Sequence, residues 1–152
     1  MTPFVNRIAA AGIAAMVASI GFAGLADADD NAIKYRQNHM KALAAHMGAI
    51  SAVMKGEAGK PGHVAGHAAA LASIGAMTGD LFPVGSGEGN TDALPAIWAQ
   101  PGEFEKAWMA LKDASANFAK VAAGGDMAAT GGAMGAVGKA CGGCHKSFRK
   151  KQ

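Results

Sequence analysis

Apolar residues return every three or four positions through four stretches of the chain, and no run alternates between apolar and polar as a half-buried strand would. The first stretch runs from about Asp30 to Lys55. Ile33, Met40, Met47 and Met54 recur every seven residues there, Leu43 and Ile50 flank them, and Gly56 marks a stop. The second, from about Pro61 to Thr78, places Val64, Ala68, Leu71, Ile74 and Met77 on one face and ends before Gly79. The third starts at Pro101, a residue suited to the first helical turn, and reaches Ala123 before Gly124 and Gly125. Phe104, Trp108, Leu111, Phe118 and Val121 form its apolar face. The fourth follows Asp126 and runs to about Arg149, with Met134, Val137, Cys141, Cys144, His145 and Phe148 along one side. Residues 80–100 hold Pro83, Pro95, Gly85, Gly87 and Gly89, so a long connection is expected there, anchored in the core by Ile97 and Trp98. Four helices, short turns and one longer connection predict an all-α, antiparallel four-helix bundle.

The pattern differs ahead of the first helix. Arg7 lies in a short polar start, an apolar run from Ile8 to Leu25 follows, and small residues lead to Ala26-Asp27-Ala28. This reads as a secretory leader over residues 1–28, cleaved after Ala28, leaving residues 29–152 as one domain. The run is also long enough for an uncleaved membrane anchor. The Ala-x-Ala ending and the acidic residues after it favour removal, and no second apolar run of that length follows, so the mature form is expected not to span a membrane.

Composition adds one constraint. Apolar residues make up 51% of the chain but aromatics only 6%, with 22 glycines, so close-packed helices would bury few large side chains and a large cofactor would fill the deficit. The net charge of +3 is modest, and Lys146, Arg149, Lys150 and Lys151 form a short basic cluster, not a long stripe with interleaved aromatics, which argues against nucleic acid.

The chain has two cysteines, Cys141 and Cys144. In an exported protein such a pair suggests a disulfide, but the next residue is His145, and Cys-x-x-Cys-His is the spacing for covalent haem c. Two thiols take the vinyl groups and the imidazole takes the iron. On a helix, offsets of three and four put all three side chains on one side. A thioredoxin-like motif belongs near the start of a helix among strands, not at a helix end. The other axial side of the iron decides function, and the candidates are Met40, His39, His46, His63, His67 or no ligand at all. His39 is rotated about 100° from Met40 on a helix, so if the Ile33–Met40–Met47 stripe faces the core, His39 and His46 point sideways. His63 and His67 are four apart, a metal-like spacing, but have no partnering carboxylate. Spacing alone leaves Met40 as core packing or as a ligand.

Lys34-Tyr35-Arg36-Gln37-x-x-Met40-Lys41, Ile97-Trp98 ahead of the third helix, and Cys141-x-x-Cys144-His145-x-x-Phe148-Arg149-x-Lys151 at the end are similar to class II c-type cytochromes, over essentially the whole mature chain. The family has two branches. Cytochromes c′ keep a five-coordinate, high-spin iron that binds small gases, and low-spin relatives such as cytochrome c-556 complete the coordination with a methionine of the first helix. Met40 stands at the position that caps the open face in one branch and supplies the ligand in the other, and the resemblance favours ligation. It also implies that Arg36 pairs with a haem propionate through a two-pronged contact, and that Arg149 lies beside the imidazole of His145. The expected function is then a periplasmic one-electron carrier with low-spin iron held by His145 and Met40, since thioether ligation favours ferrous iron. The alternative is a five-coordinate cytochrome c′ that binds nitric oxide or carbon monoxide. An enzyme such as a peroxidase is not expected, because Met40 and apolar neighbours stand where acid and base groups would be needed. The basic rim from Lys146 to Lys151 would steer an acidic redox partner, and family members are often homodimers through their first two helices.

Overall fold

The computed structural model describes residues 23–151. Helices form where the apolar periodicity places them: α1 over Ala23–Met54, α2 over His63–Ala76, a single turn α3 over Ala96–Ala99, α4 over Pro101–Ala123 and α5 over Met127–Phe148. Helix α1 is already formed at Ala23, the first described residue, seven residues ahead of the expected Asp30. The leader expected over residues 1–28 lies almost wholly outside the described residues, which include it only from Ala23. Helix α2 stops at Ala76, two residues short of the expected end, and a 3₁₀ turn over Thr78–Leu81 follows. Inside the long connection, Pro95 at φ −54° starts α3, which carries Ile97 and Trp98. Gln100, at φ −130° and ψ 59°, separates it from α4 because the residue before Pro101 is pushed out of the helical region.

The helix ends have local causes. Gly56, at φ 72°, follows α1 with its N–H on Val53 O (3.0 Å), and Gly125, at φ 77°, reverses the chain after α4. Asp126 caps α5, its Oδ1 accepting from the N–H groups of Ala128 (2.9 Å) and Ala129 (3.0 Å).

Adjacent helices pair as α1 with α2, α2 with α4 and α4 with α5, and the fourth side of the ring, between α5 and α1, has no comparable backbone packing among the described residues. Two apolar clusters fill the interior. The larger gathers Leu43, Ile50, Val64, Leu71, Leu111, Phe118 and Val137, with Met40, Met47, Met54 and Met134 half-buried against it. The smaller gathers Ala93, Ile97, Phe104 and Phe148, with Phe82, Trp98 and Trp108 against it. Of the face expected on α4, Phe104, Leu111 and Phe118 are buried and Trp108 and Val121 half-buried, while Ser115 and Ala122 are also buried there. A Cβ on Gly75 would come within 2.7 Å of Ser115 Oγ, so two small residues let α2 and α4 approach closely.

Phe118, fully buried in the larger cluster, should cost about 3–5 kcal/mol of unfolding free energy when replaced by Ala. Asp126→Ala should cost about 1 kcal/mol through the lost cap. Chemical denaturation of the haem-loaded protein measures both.

Candidate haem site

The end of α5 carries Cys141, Cys144 and His145, and the two thiols look into different clusters. Cys141 packs on the larger one with Met40, and Cys144 packs on the aromatic one. In that second cluster the rings meet edge to face, Phe82 with Phe104 at 4.8 Å between centroids and Phe104 with Phe148 at 5.3 Å. The thiols are half-buried and unpaired. Burial raises the pKa of both, and Cys141 raises that of Cys144 further, so both stay protonated near neutral pH. His145 is exposed at the helix surface. The part of it that the protein covers, and then the Arg149 cation one turn on, lower its pKa, which favours the neutral imidazole that binds metals.

A cavity of about 450 Å³ opens between α4 and α5 beside Cys144, lined by Ala107, Ala110, Ala140, Gly143 and Phe148, and Met40, Cys141 and His145 lie outside its lining. A Cβ at Gly138, Gly142 or Gly143 would meet nothing within 4 Å, so a flat group can approach the backbone around the thiols.

Met40 lies across the unclosed α5–α1 side. Helices α1 and α5 run antiparallel, and their side chains meet where Met54 Cε stands 3.5 Å from the Cβ position of Gly131. Fourteen residues back from Met54 is Met40 (54 − 14 = 40) and fourteen forward from Gly131 is His145 (131 + 14 = 145), about 21 Å along each helix. Met40 and His145 therefore stand at one level of the bundle.

The histidines are engaged elsewhere. His39 is buried, with Nε2 3.4 Å from Thr78 Oγ1 in the 3₁₀ turn after α2, and burial lowers its pKa. His46 and His67 bring their Nδ1 atoms within 2.9 Å of each other between α1 and α2, and exposed His63 accepts from the Lys60 N–H. The sideways orientation expected for His39 and His46 is the one found. Their partners across the helices were not legible, because spacing within one helix is silent about the next.

Arg36, one turn ahead of Met40, is only 4% exposed. Its Nη1 donates to Leu81 O (3.2 Å) and Ser86 Oγ (2.9 Å), and its Nη2 to Ser86 O (2.9 Å) and Thr91 Oγ1 (2.8 Å). The guanidinium also stacks 4.8 Å over the Phe82 ring. Both terminal nitrogens are thus taken by the connection between α2 and α4, which departs from the two-pronged propionate contact expected, and only Nε–H remains for an outside acceptor. Arg149 lies one turn past His145, where its Nε stands 3.7 Å from Asp92 Oδ2. Ser86, Thr91 and Asp92 had no sequence signal beyond polar residues in a loop.

A helical bundle with one open side and Cys-x-x-Cys-His at that side defines a monohaem c-type cytochrome of the four-helix class. The cytochrome c′ family profile matches residues 31–149, and the chain belongs to that family. It is 36% identical to a cytochrome c′ from Pararhodospirillum photometricum, over 78% of this chain and 95% of that one. It is equally, 36%, identical to a cytochrome c-554 from Cereibacter sphaeroides, over 78% of this chain and 80% of that one. Among solved structures it resembles the nitric oxide complex of a variant cytochrome c′ from Alcaligenes xylosoxidans, at 31% identity and a TM-score of 0.75, over 82% of this chain and 97% of that one. The family's cofactor is covalently attached haem c with its iron, and no helix among the described residues is long and apolar enough to cross a membrane.

Replacing both Cys141 and Cys144 by Ser should abolish covalent attachment, read as an intact mass equal to that of the polypeptide alone. Either single Ser variant should keep one thioether.

Proposed function

We propose that the protein is a periplasmic cytochrome c′ that binds a small diatomic gas, nitric oxide or carbon monoxide, on the Met40 side of its haem. In this reading Cys141 and Cys144 form the two thioethers and His145 supplies the proximal imidazole. Haem c, when bound, brings an iron that takes an imidazole on one side and a gas or a thioether on the other. Met40 covers that second side with a flexible, unbranched side chain that yields to a diatomic ligand. The apolar clusters around both cysteines exclude water, and Arg36 offers its remaining Nε–H to a propionate. The observation that carries the reading is the close likeness to a family member solved with nitric oxide bound, together with a distal side on which every histidine of α1 and α2 is engaged elsewhere.

A second reading has its own support. Met40 stands at the level of His145 across the seam, and the chain is as similar to a cytochrome c-554 as to a cytochrome c′. Closure of the coordination by the Met40 thioether would give a low-spin one-electron carrier, with Lys146, Lys150 and Lys151 as a salt-sensitive docking rim for an acidic partner. Neither reading requires substrate chemistry.

The absorption spectrum of the reduced protein before and after carbon monoxide separates the two. A high-spin spectrum that shifts on addition of the gas is expected, and Met40→Ala should speed association about tenfold, equivalent to about 1.4 kcal/mol of removed steric cover. A low-spin spectrum unmoved by the gas overturns the proposal and leaves the thioether-ligated carrier.

A further inference from the structure

We propose that residues 91–94 form a strap that sets the spacing of α1 and α5, which makes Thr91 and Arg36 positioning residues for the two axial sides of the haem. The inference rests on the assignment of those sides to His145 and Met40, but on neither choice of coordination.

The seam between α1 and α5 has no extensive backbone packing among the described residues, so something else must hold its width. At one end Met54 meets α5 at Gly131. At the other end the two helices are joined through the strap. From α1, Arg36 Nη2 donates to Thr91 Oγ1 (2.8 Å), and Gln37 Nε2 donates to Asn90 O (2.8 Å) one residue before it. From the end of α5, Lys150 Nζ donates to Thr91 O (2.8 Å) and Lys150 N–H to Asp92 O (2.8 Å). Leu94 N–H donates back to Phe148 O (3.0 Å), and Arg149 Nε faces Asp92 Oδ2 at 3.7 Å. Thr91 is the meeting point. Its hydroxyl also accepts from Ala93 N–H (3.1 Å), which pins the turn, and its own two oxygens connect a side chain of α1 with one beyond α5.

The two attachments bracket the site. Arg36 lies one turn before Met40, and Arg149 and Lys150 lie one turn or little more after His145. A change in the strap therefore moves the two helix segments that bear the axial residues, without touching either. Arg36 is well suited to this because its fork is rigid and almost fully engaged: Leu81 O, both oxygens of Ser86 and Thr91 Oγ1 hold it to the same connection. The seam is thus a frame fixed at two ends, with a width that depends on hydrogen bonds at one end and packing at the other.

Thr91→Val tests this in the haem-loaded protein, since it keeps the shape of the side chain and removes the hydroxyl. It should raise the amide exchange rates of Leu94 and Lys150 about tenfold and speed carbon monoxide association about threefold or more, in the direction of Met40→Ala. If the wild-type iron is low-spin, the same loosening should read as a larger high-spin fraction. Thr91→Ser, which keeps the hydroxyl, should match the wild type, and Lys150→Met should reproduce Thr91→Val from the α5 side. Asp126→Ala, destabilising but remote from the strap, should leave gas binding and both amides unchanged. Unchanged exchange and gas kinetics in Thr91→Val and Lys150→Met, or an equal effect from Asp126→Ala, overturns the proposal. The wild-type spectrum judges the coordination separately, so the two ideas fail independently.

Discussion

A four-helix ring packed on only three of its sides must solve a problem that closed bundles do not have. In this protein α1 packs on α2, α2 on α4 and α4 on α5, while α5 and α1 share no comparable backbone packing among the described residues. Apolar side chains beside an open seam are costly unless something covers them. The residues that border it explain how it persists: half-buried methionines of α1 and α5, which adapt to irregular space, and two half-buried thiols. The low aromatic content of the chain has the same meaning, since the volume that large side chains would supply is left for a large planar cofactor.

The buried guanidinium of Arg36 is the polar counterpart of that seam. Placing a cation among a carbonyl, a serine, a threonine and a phenylalanine ring, with no carboxylate in the set, is tolerable only because each terminal N–H finds an acceptor. The return is order in the long connection between α2 and α4. That connection carries the second, aromatic cluster through Phe82, Ile97 and Trp98, and the indole N–H of Trp98 donates back to Phe82 O at 3.1 Å. Cys144 rests against this cluster, so one wall of the haem site is made by a segment without long helices, and Arg36 is what gives it a shape.

The chemistry follows from this placement. Burial raises the pKa of both thiols, and the same partial burial beside Arg149 lowers that of the His145 imidazole, favouring its neutral form. On the far side of the seam the histidines bond to Thr78, to each other and to the Lys60 N–H, and the residue left at the level of His145 is Met40. A thioether there can bind iron or move aside, and under the proposed strap the width of the seam would govern which.

Much of this was legible in the chain itself. Local periodicity marked α4 at both ends and the face of α1, because a 3.6-residue repeat and a capping residue act within a single helix. The attachment motif was equally legible, since Cys141, Cys144 and His145 need nothing but one helix to converge. Arg36 and Arg149 were singled out, but their partners were not, because Ser86, Thr91 and Asp92 come from a loop whose path depends on packing far from it in sequence. The His46–His67 pair and the close approach of Gly75 to Ser115 were hidden for the same reason. The sequence by itself determined the four helices and the haem-attachment motif, both local properties. Only the tertiary structure decided which helix pair stays open and what spans it, because those depend on contacts between residues dozens of positions apart.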